Sequence, residues 1–165
     1  MRLRLRARLY RVALVRWVDL PCNLATRLKL TPAEITGGGR GWNALLRFND
    51  DLDRVTLLPG KPGKLKLAFK VELLRAAGVD AGDEVAFTLE PDTASREPEL
   101  PGEMLKAFQA RPELERRWLA HSVALRRQVA RYIFQAKSAE AQAKRSWIVL
   151  ERLAETGSLR PPAAK

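Results

Sequence analysis

Polar and apolar residues alternate strictly over residues 1–10. Leu3, Leu5, Ala7 and Leu9 fall on one side of an extended chain, and Arg2, Arg4, Arg6 and Arg8 on the other. A strand has a side-chain period of two, and helical spacing would mix the two sets. The segment therefore predicts a half-buried strand with an arginine stripe on its outer face. Such a stripe also guards a sheet edge against pairing with other chains. Residues 12–20 read as a second strand that ends at Pro21, and residues 27–30 begin a third, closed by Thr31-Pro32. The glycine run at 37–41 predicts a turn, and residues 42–48 resume strand character up to a turn at Asn49-Asp50-Asp51. A short strand follows over 55–58, and then a loop rich in proline and glycine at 59–63. Leu65, Leu67 and Phe69 alternate with Lys64, Lys66 and Lys70 in one more strand.

The pattern changes at Lys70. Residues 71–77 predict a short helix with Gly78 as its C-terminal stop. After a turn at 81–84, Val85, Phe87 and Leu89 alternate in a last strand that Pro91 ends. Residues 92–101 are polar and read as a linker. Helical spacing then takes over, in one helix over 103–110 and another from Pro112 to about 120. Ser122 and Ser138 are placed to cap two more. The third helix puts Leu125, Val129, Tyr132, Ile133 and Ala136 on one face, and the fourth does the same with Ala143, Trp147, Leu150 and Ala154, with Gly157 as stop. About six short strands followed by helices predict an α+β protein. Strands this short and numerous suggest a small β-barrel, here with one inserted short helix and a C-terminal helical segment. The expected division is a barrel over 1–92, a helical segment over 98–157 and a disordered tail over 158–165.

Charge adds a second pattern. The formal net charge is +11, and it is uneven along the chain. Residues 1–30 hold eight basic side chains against Asp19 alone, a net of +7. Residues 31–90 balance to −1, and residues 91–165 carry +5. Such a chain attracts polyanions at low salt whatever its role. The alternative reading is an Arg-rich solvated surface.

Most catalytic chemistry is missing. His121 is the one histidine and Cys22 the one cysteine, so neither a zinc site nor an intrachain disulfide can be assembled. A lone thiol in an apolar-rich stretch reads as a small buried hydrophobe, and its isolation fits a reducing compartment. His121, just before a helix cap, reads as a surface or capping residue. No G-x-S-x-G elbow or phosphate loop occurs. Asp50, Asp51 and Asp53 are the densest acidic group, and a turn explains the first two. No apolar run reaches the ~18 residues of a membrane-spanning helix, and the arginine-rich start lacks a signal peptide's apolar core. The cytoplasm is the expected location. No cofactor is expected.

What remains is binding. Arg126, Arg127, Arg131, Lys137, Lys144 and Arg145 crowd the helical segment near Tyr132, Phe134 and Trp147. Basic helices with such aromatics can grip phosphates and stack bases. The aromatic positions also match the apolar spacing, which places them in the core and leaves a solvated basic face.

Several strings resemble a known family. Lys70-Val71-Glu72-Leu73-Leu74-Arg75-Ala76-Ala77-Gly78-Val79, then Gly82-Asp83-Glu84-Val85-Ala86-Phe87-Thr88-Leu89 and Asp92, resemble the N-terminal domain of unknown function in YdeI/OmpD-associated proteins. Trp17-Val18-Asp19-Leu20-Pro21 fits the same domain. Pro101, Leu105, Ala107 and Phe108, then Ser122, Arg126, Arg127, Tyr132, Ile133, Ala136 and Lys137, resemble the family's C-terminal segment, sometimes called bacteriocin-protection. The likeness runs over roughly residues 10–157. It departs after Lys137, where the family carries a Thr-Arg pair and this chain reads Ala139-Glu140-Ala141-Gln142-Ala143. The resemblance implies a double-split-barrel-like first domain, similar to AbrB- and MazE-like proteins that bind DNA as swapped dimers. A homodimer is thus one expectation, carried by fold analogy alone.

The leading expectation is a non-enzymatic cytoplasmic accessory or stress-related protein that binds an unidentified protein or nucleic-acid partner. Candidate contacts are Arg126, Arg127, Arg131, Lys137, Lys144 and Arg145, with Arg2, Arg4, Arg6 and Arg8. One alternative is a nucleic-acid binder using the basic strand and helices. Another is a small-ligand binder or enzyme with a pocket between barrel and helices.

Overall fold

The computed structural model describes residues 1–35 and 39–160. Gly37 and Gly38 of the expected glycine turn lie outside them, as do residues 161–165 of the expected tail. The chain is α+β and divides into two compact units, Met1–Ala94 and Ser95–Lys165.

The first unit is a curled, barrel-like antiparallel sheet. Its strands are β1 (Leu3–Arg8), β2 (Tyr10–Val12), β3 (Val15–Pro21), β4 (Thr31–Ile35), β5 (Gly39–Phe48), β6 (Asp51–Pro59), β7 (Lys64–Phe69) and β8 (Glu84–Pro91). Two short helices interrupt them, α1 (Leu24–Arg27) and α2 (Val71–Ala77). The strand order is β1-β8-β5-β6-β7-β3-β2, with β4 paired to β5 beside this path. β5 is the longest strand. One edge of it pairs β4 over Gly39–Asn43 and then β8 over Ala44–Arg47, and the other edge pairs β6. β6 itself leaves β5 and pairs β7 only at Leu58 and Pro59, where the sheet turns its corner.

Alternation decides the faces. In β1, Leu3, Leu5 and Ala7 pack against the core while Arg4, Arg6 and Arg8 are exposed. Val18, Leu20, Leu46, Leu57, Leu67 and Leu89 are fully buried from five strands. Phe48, Phe69 and Phe87 meet edge to face, with centroids 5.5 and 5.3 Å apart. T-shaped pairs suit the ring quadrupole and tie β5, β7 and β8 together. Gly41 shows how closely β5 and β6 approach. A Cβ there would stand 2.7 Å from Thr56 Cγ2 and 2.9 Å from the Leu57 carbonyl oxygen.

Three expectations need correction. The second strand is a hairpin, because Ala13 takes a left-handed φ of 52° and folds β2 onto β3. The strand expected at 27–30 is replaced by the helical turn α1, whose Leu24 and Leu28 stand four apart and are both buried. Thr31-Pro32 then opens β4 instead of closing a strand. Proline has no N–H to give a ladder, and β4 tolerates it because it pairs with β5 alone. The sequence placed α2 and its stop correctly, and Gly78 is left-handed with φ 70°.

Ion pairs fasten the outside of this unit. Arg54 holds the buried Asp92 through two bonds of 2.9 and 3.2 Å and also donates to the Ala94 carbonyl. The Tyr10 hydroxyl donates to Asp19 at 2.7 Å, and burial followed by this bond pushes its pKa up to about 12. Arg16 grips Asp80 at 2.8 and 3.2 Å, and the Ala81 N–H adds a bond of 2.7 Å. The Arg16 bonds first, then the Ala81 bond, hold the Asp80 carboxyl at about 2. A depressed carboxyl stabilises the fold above its ordinary pKa, and the benefit is lost as pH falls through the depressed value. We expect a carbon NMR titration of Asp80 to show a midpoint near 2. In Arg16→Leu it should rise toward the ordinary value of about 3.9. A midpoint unmoved by that substitution would refute the pairing.

The second unit is helical, with α3 (Gly102–Ala110), α4 (Pro112–Leu119), α5 (Val123–Phe134) and α6 (Ala139–Thr156). Ser122 accepts from the Leu125 N–H and Ser138 from the Ala141 N–H, so both expected caps form. The C-terminus of α6 is tied down three ways. Gly157 is left-handed with φ 69°. Arg117 donates to the Leu153 and Ala154 carbonyls, and His121 Nε2 bonds the Gly157 carbonyl at 2.7 Å. Carbonyls at a helix end lack internal partners and carry the negative end of its dipole, so the Arg117 guanidinium suits them. The core is Met104, Phe108, Leu114, Trp118, Val129, Ile133, Val149, Leu150 and Leu153, with Leu159. Leu159 falls within the tail expected from residue 158, and it is buried.

Candidate macromolecule-binding surface

The basic residues of the helical unit separate into two kinds. Arg126 is 6% exposed. Its Nε donates to the His121 carbonyl at 3.1 Å and its guanidinium pairs with Glu97. It is an internal tie, and the structure removes it from the exposed set. Arg127, Arg131, Lys137 and Lys144 are exposed. Arg131, Lys137 and Lys144 make no ion pair among the described residues. Arg145 lies over the Tyr132 ring at 4.5 Å and donates to the Tyr132 carbonyl at 2.6 Å, joining α6 to the end of α5. Residues 116–139 hold six cations and no acid.

The aromatics are not in the core. Tyr132, Phe134 and Trp147 are 47%, 44% and 63% exposed. The reason is helical geometry. The buried face of α5 runs through Arg126, Val129, Ala130 and Ile133, and that of α6 through Ser146, Val149, Leu150 and Leu153. Each residue advances ~100° about the axis, so Tyr132 and Phe134 flank Ile133 on opposite sides and Trp147 falls outside. Phe134 shares the stripe of Arg127 and Arg131, at i+7 and i+3.

Between α5 and α6 runs a groove of about 310 Å³, lined by Leu125, Gln128, Val129 and Tyr132 from α5, Ile148, Val149 and Arg152 from α6, and Leu159. The four α5 residues are spaced i, i+3, i+4 and i+7, one face of a helix. The sequence pattern put Leu125, Val129 and Tyr132 on one face with Ile133; Val129 is in the core and Leu125 packs against it, Tyr132 is exposed, and all three line this crevice. A second, more open hollow shares Ile148 and Arg152 with this groove and is lined by Glu151, Glu155 and Arg160 as well.

The β1 arginines belong to the other unit. Arg2 pairs with Glu90, which also accepts from Arg47 at 3.2 Å. Burial alone would raise the Glu90 pKa, but Arg2 and then Arg47 outweigh it and hold the carboxyl below its usual range. Arg6 stands 3.8 Å from Glu84. Arg4 and Arg8 make no ion pair among the described residues. Glu90 and Glu84 thus neutralise part of the stripe. No local pattern signals that, because Glu84 and Glu90 lie on β8, which meets β1 only through long-range pairing such as Leu3 with Leu89.

Other candidates resolve as structure. Cys22 is exposed, not buried, because it follows Pro21 at the end of β3 where the chain leaves the sheet. Asp53 accepts from Lys70 at 2.7 Å. No group of three or more His, Cys, Asp or Glu could hold a metal ion among the described residues. No helix among them is long and apolar enough to cross a membrane.

No curated protein matches the chain. The family model described as bacteriocin-protection, YdeI or OmpD-associated matches residues 97–156, from the Glu97 partner of Arg126 to the last residue of α6, and over that segment the chain is similar to this family.

Proposed function

We propose that this chain is a non-enzymatic cytoplasmic accessory protein, with a stress-related role, that engages an anionic macromolecular partner through the α5–α6 surface. One observation carries the reading: exposed aromatics stand near Arg131, Lys137 and Lys144, which make no ion pair among the described residues. Solvated charge alone needs no exposed aromatics, and core aromatics would not be half exposed. Aromatic and arginine side chains are the types enriched where partners bind. The bacteriocin-protection description of the matched family agrees with an accessory role. His121 is committed to closing α6, which supports a non-catalytic reading.

The test is the triple variant Arg131→Glu, Lys137→Glu, Lys144→Glu. Arg126 is left out because its reversal would damage the fold. Exposed substitutions should each change stability by no more than about 0.5 kcal/mol. We expect the variant to melt like the parent and to lose the partners the parent retains from a bacterial lysate. An unchanged set of partners would refute the reading.

A second reading, nucleic-acid binding through β1, is favoured by Arg4 and Arg8, which make no ion pair among the described residues. In the same assay, labelled oligonucleotides would then be held near physiological salt and released by Arg4→Glu, Arg8→Glu, with each lost phosphate contact flattening the salt slope by about 0.9.

A further inference from the structure

We infer that the groove between α5 and α6 seats an acidic amphipathic helix of a partner protein. This rests on the α5–α6 reading above and names the partner's chemistry. The floor is apolar: Leu125, Val129 and Tyr132 face Ile148, Val149 and Leu159. Its volume, about 310 Å³, lies at the low end of ligand pockets of ~300–1,000 Å³. A hollow of that size takes apolar anchors from one helix face, as helix-in-groove recognition does.

Charge identifies the other half of the partner. Residues 116–150 carry eight cations and the single acid Glu140. Arg131, Lys144 and Arg145 project from the two helices that form the groove, and Arg145 lies over Tyr132 of its lining. A phosphate backbone would satisfy these cations and leave the apolar floor in water. A helix with carboxylates beside apolar anchors satisfies both. The adjoining hollow, where Glu151 and Glu155 offset Arg152 and Arg160, has no preference for acids. The partner's acids therefore belong at the end of the groove nearest Tyr132 and Arg145.

The full chain would be used to select from a phage-displayed library of random peptides of about 16 residues, roughly four helical turns. We expect enriched peptides to combine acidic residues with apolar ones at i, i+3 or i+4, and i+7. They should bind Ile148→Glu and Arg131→Glu at least about tenfold more weakly. Ile148 is 39% exposed, so its variant is expected to fold, and Leu125→Gln replaces it if the melting temperature falls. Failure to enrich, enrichment of peptides without acids, or binding indifferent to the groove variants would overturn the inference. Labelled single-stranded DNA is the comparison. If it binds through Arg131 and Lys144 and ignores Ile148→Glu, while no acidic peptide is selected, the inference falls and the α5–α6 reading survives. If the triple charge variant also keeps every partner, both fall.

Discussion

Replacing Ile133 by alanine should destabilise the helical unit by about 2–5 kcal/mol. Ile133 is fully buried on α5 and packs in a core of only ten buried side chains from α3 to Leu159. A core this small cannot close over the lost volume, so the cavity adds to the lost transfer free energy. Phe134→Ala, one residue on, is the control. Its ring is 44% exposed, and its loss should cost about 1 kcal/mol or less. Urea denaturation followed by helical circular dichroism measures both. Equal costs would mean that the face of α5 has been assigned wrongly.

Arg126→Glu should be the most damaging of the charge reversals, at about 3–5 kcal/mol. The new carboxylate would be buried opposite Glu97 and against the His121 carbonyl that Arg126 Nε now satisfies. A buried carboxylate would face a second acid, Glu97, and leave the His121 carbonyl without its donor. Arg131→Glu, five residues along the same helix, should cost no more than about 0.5 kcal/mol. A loss of partner binding in Arg126→Glu would therefore report unfolding, whereas the same loss in Arg131→Glu would report contact. If Arg126→Glu unfolds in urea like the parent chain, its role as an internal tie is refuted.

Local signals carried much of this fold. The two-residue period of β1, the serine caps of α5 and α6, and the glycine stops at Gly78 and Gly157 are each written within a few residues. The failures came where a short pattern depends on distant partners. Ala13 turns a hairpin without the glycine or asparagine that usually marks one, because pairing of Tyr10 with Trp17 and Val12 with Val15 holds it. Pro32 looks like a breaker until β5 is seen to leave it an edge. Tyr132 and Trp147 sit one residue off the buried stripes of their helices, and apolar spacing tolerates that shift. The arginines of α5 look alike in sequence, and only the position of Glu97, outside the helix, singles out Arg126. The groove has no linear signature at all, since it exists only when α5 and α6 lie side by side.

The pairing of β1 with β8 also sets an order of events during synthesis. Leu3 meets Leu89 and Arg8 meets Glu84, so β1 is made long before the strand that receives it. At translation rates of about 5–20 residues per second, it waits several seconds as an unpaired apolar ribbon. Neighbouring ribosomes on one message hold identical ribbons close together in that interval. Arg4, Arg6 and Arg8 on such a ribbon disfavour its pairing with the same strand of the next nascent chain, before there is any fold to protect.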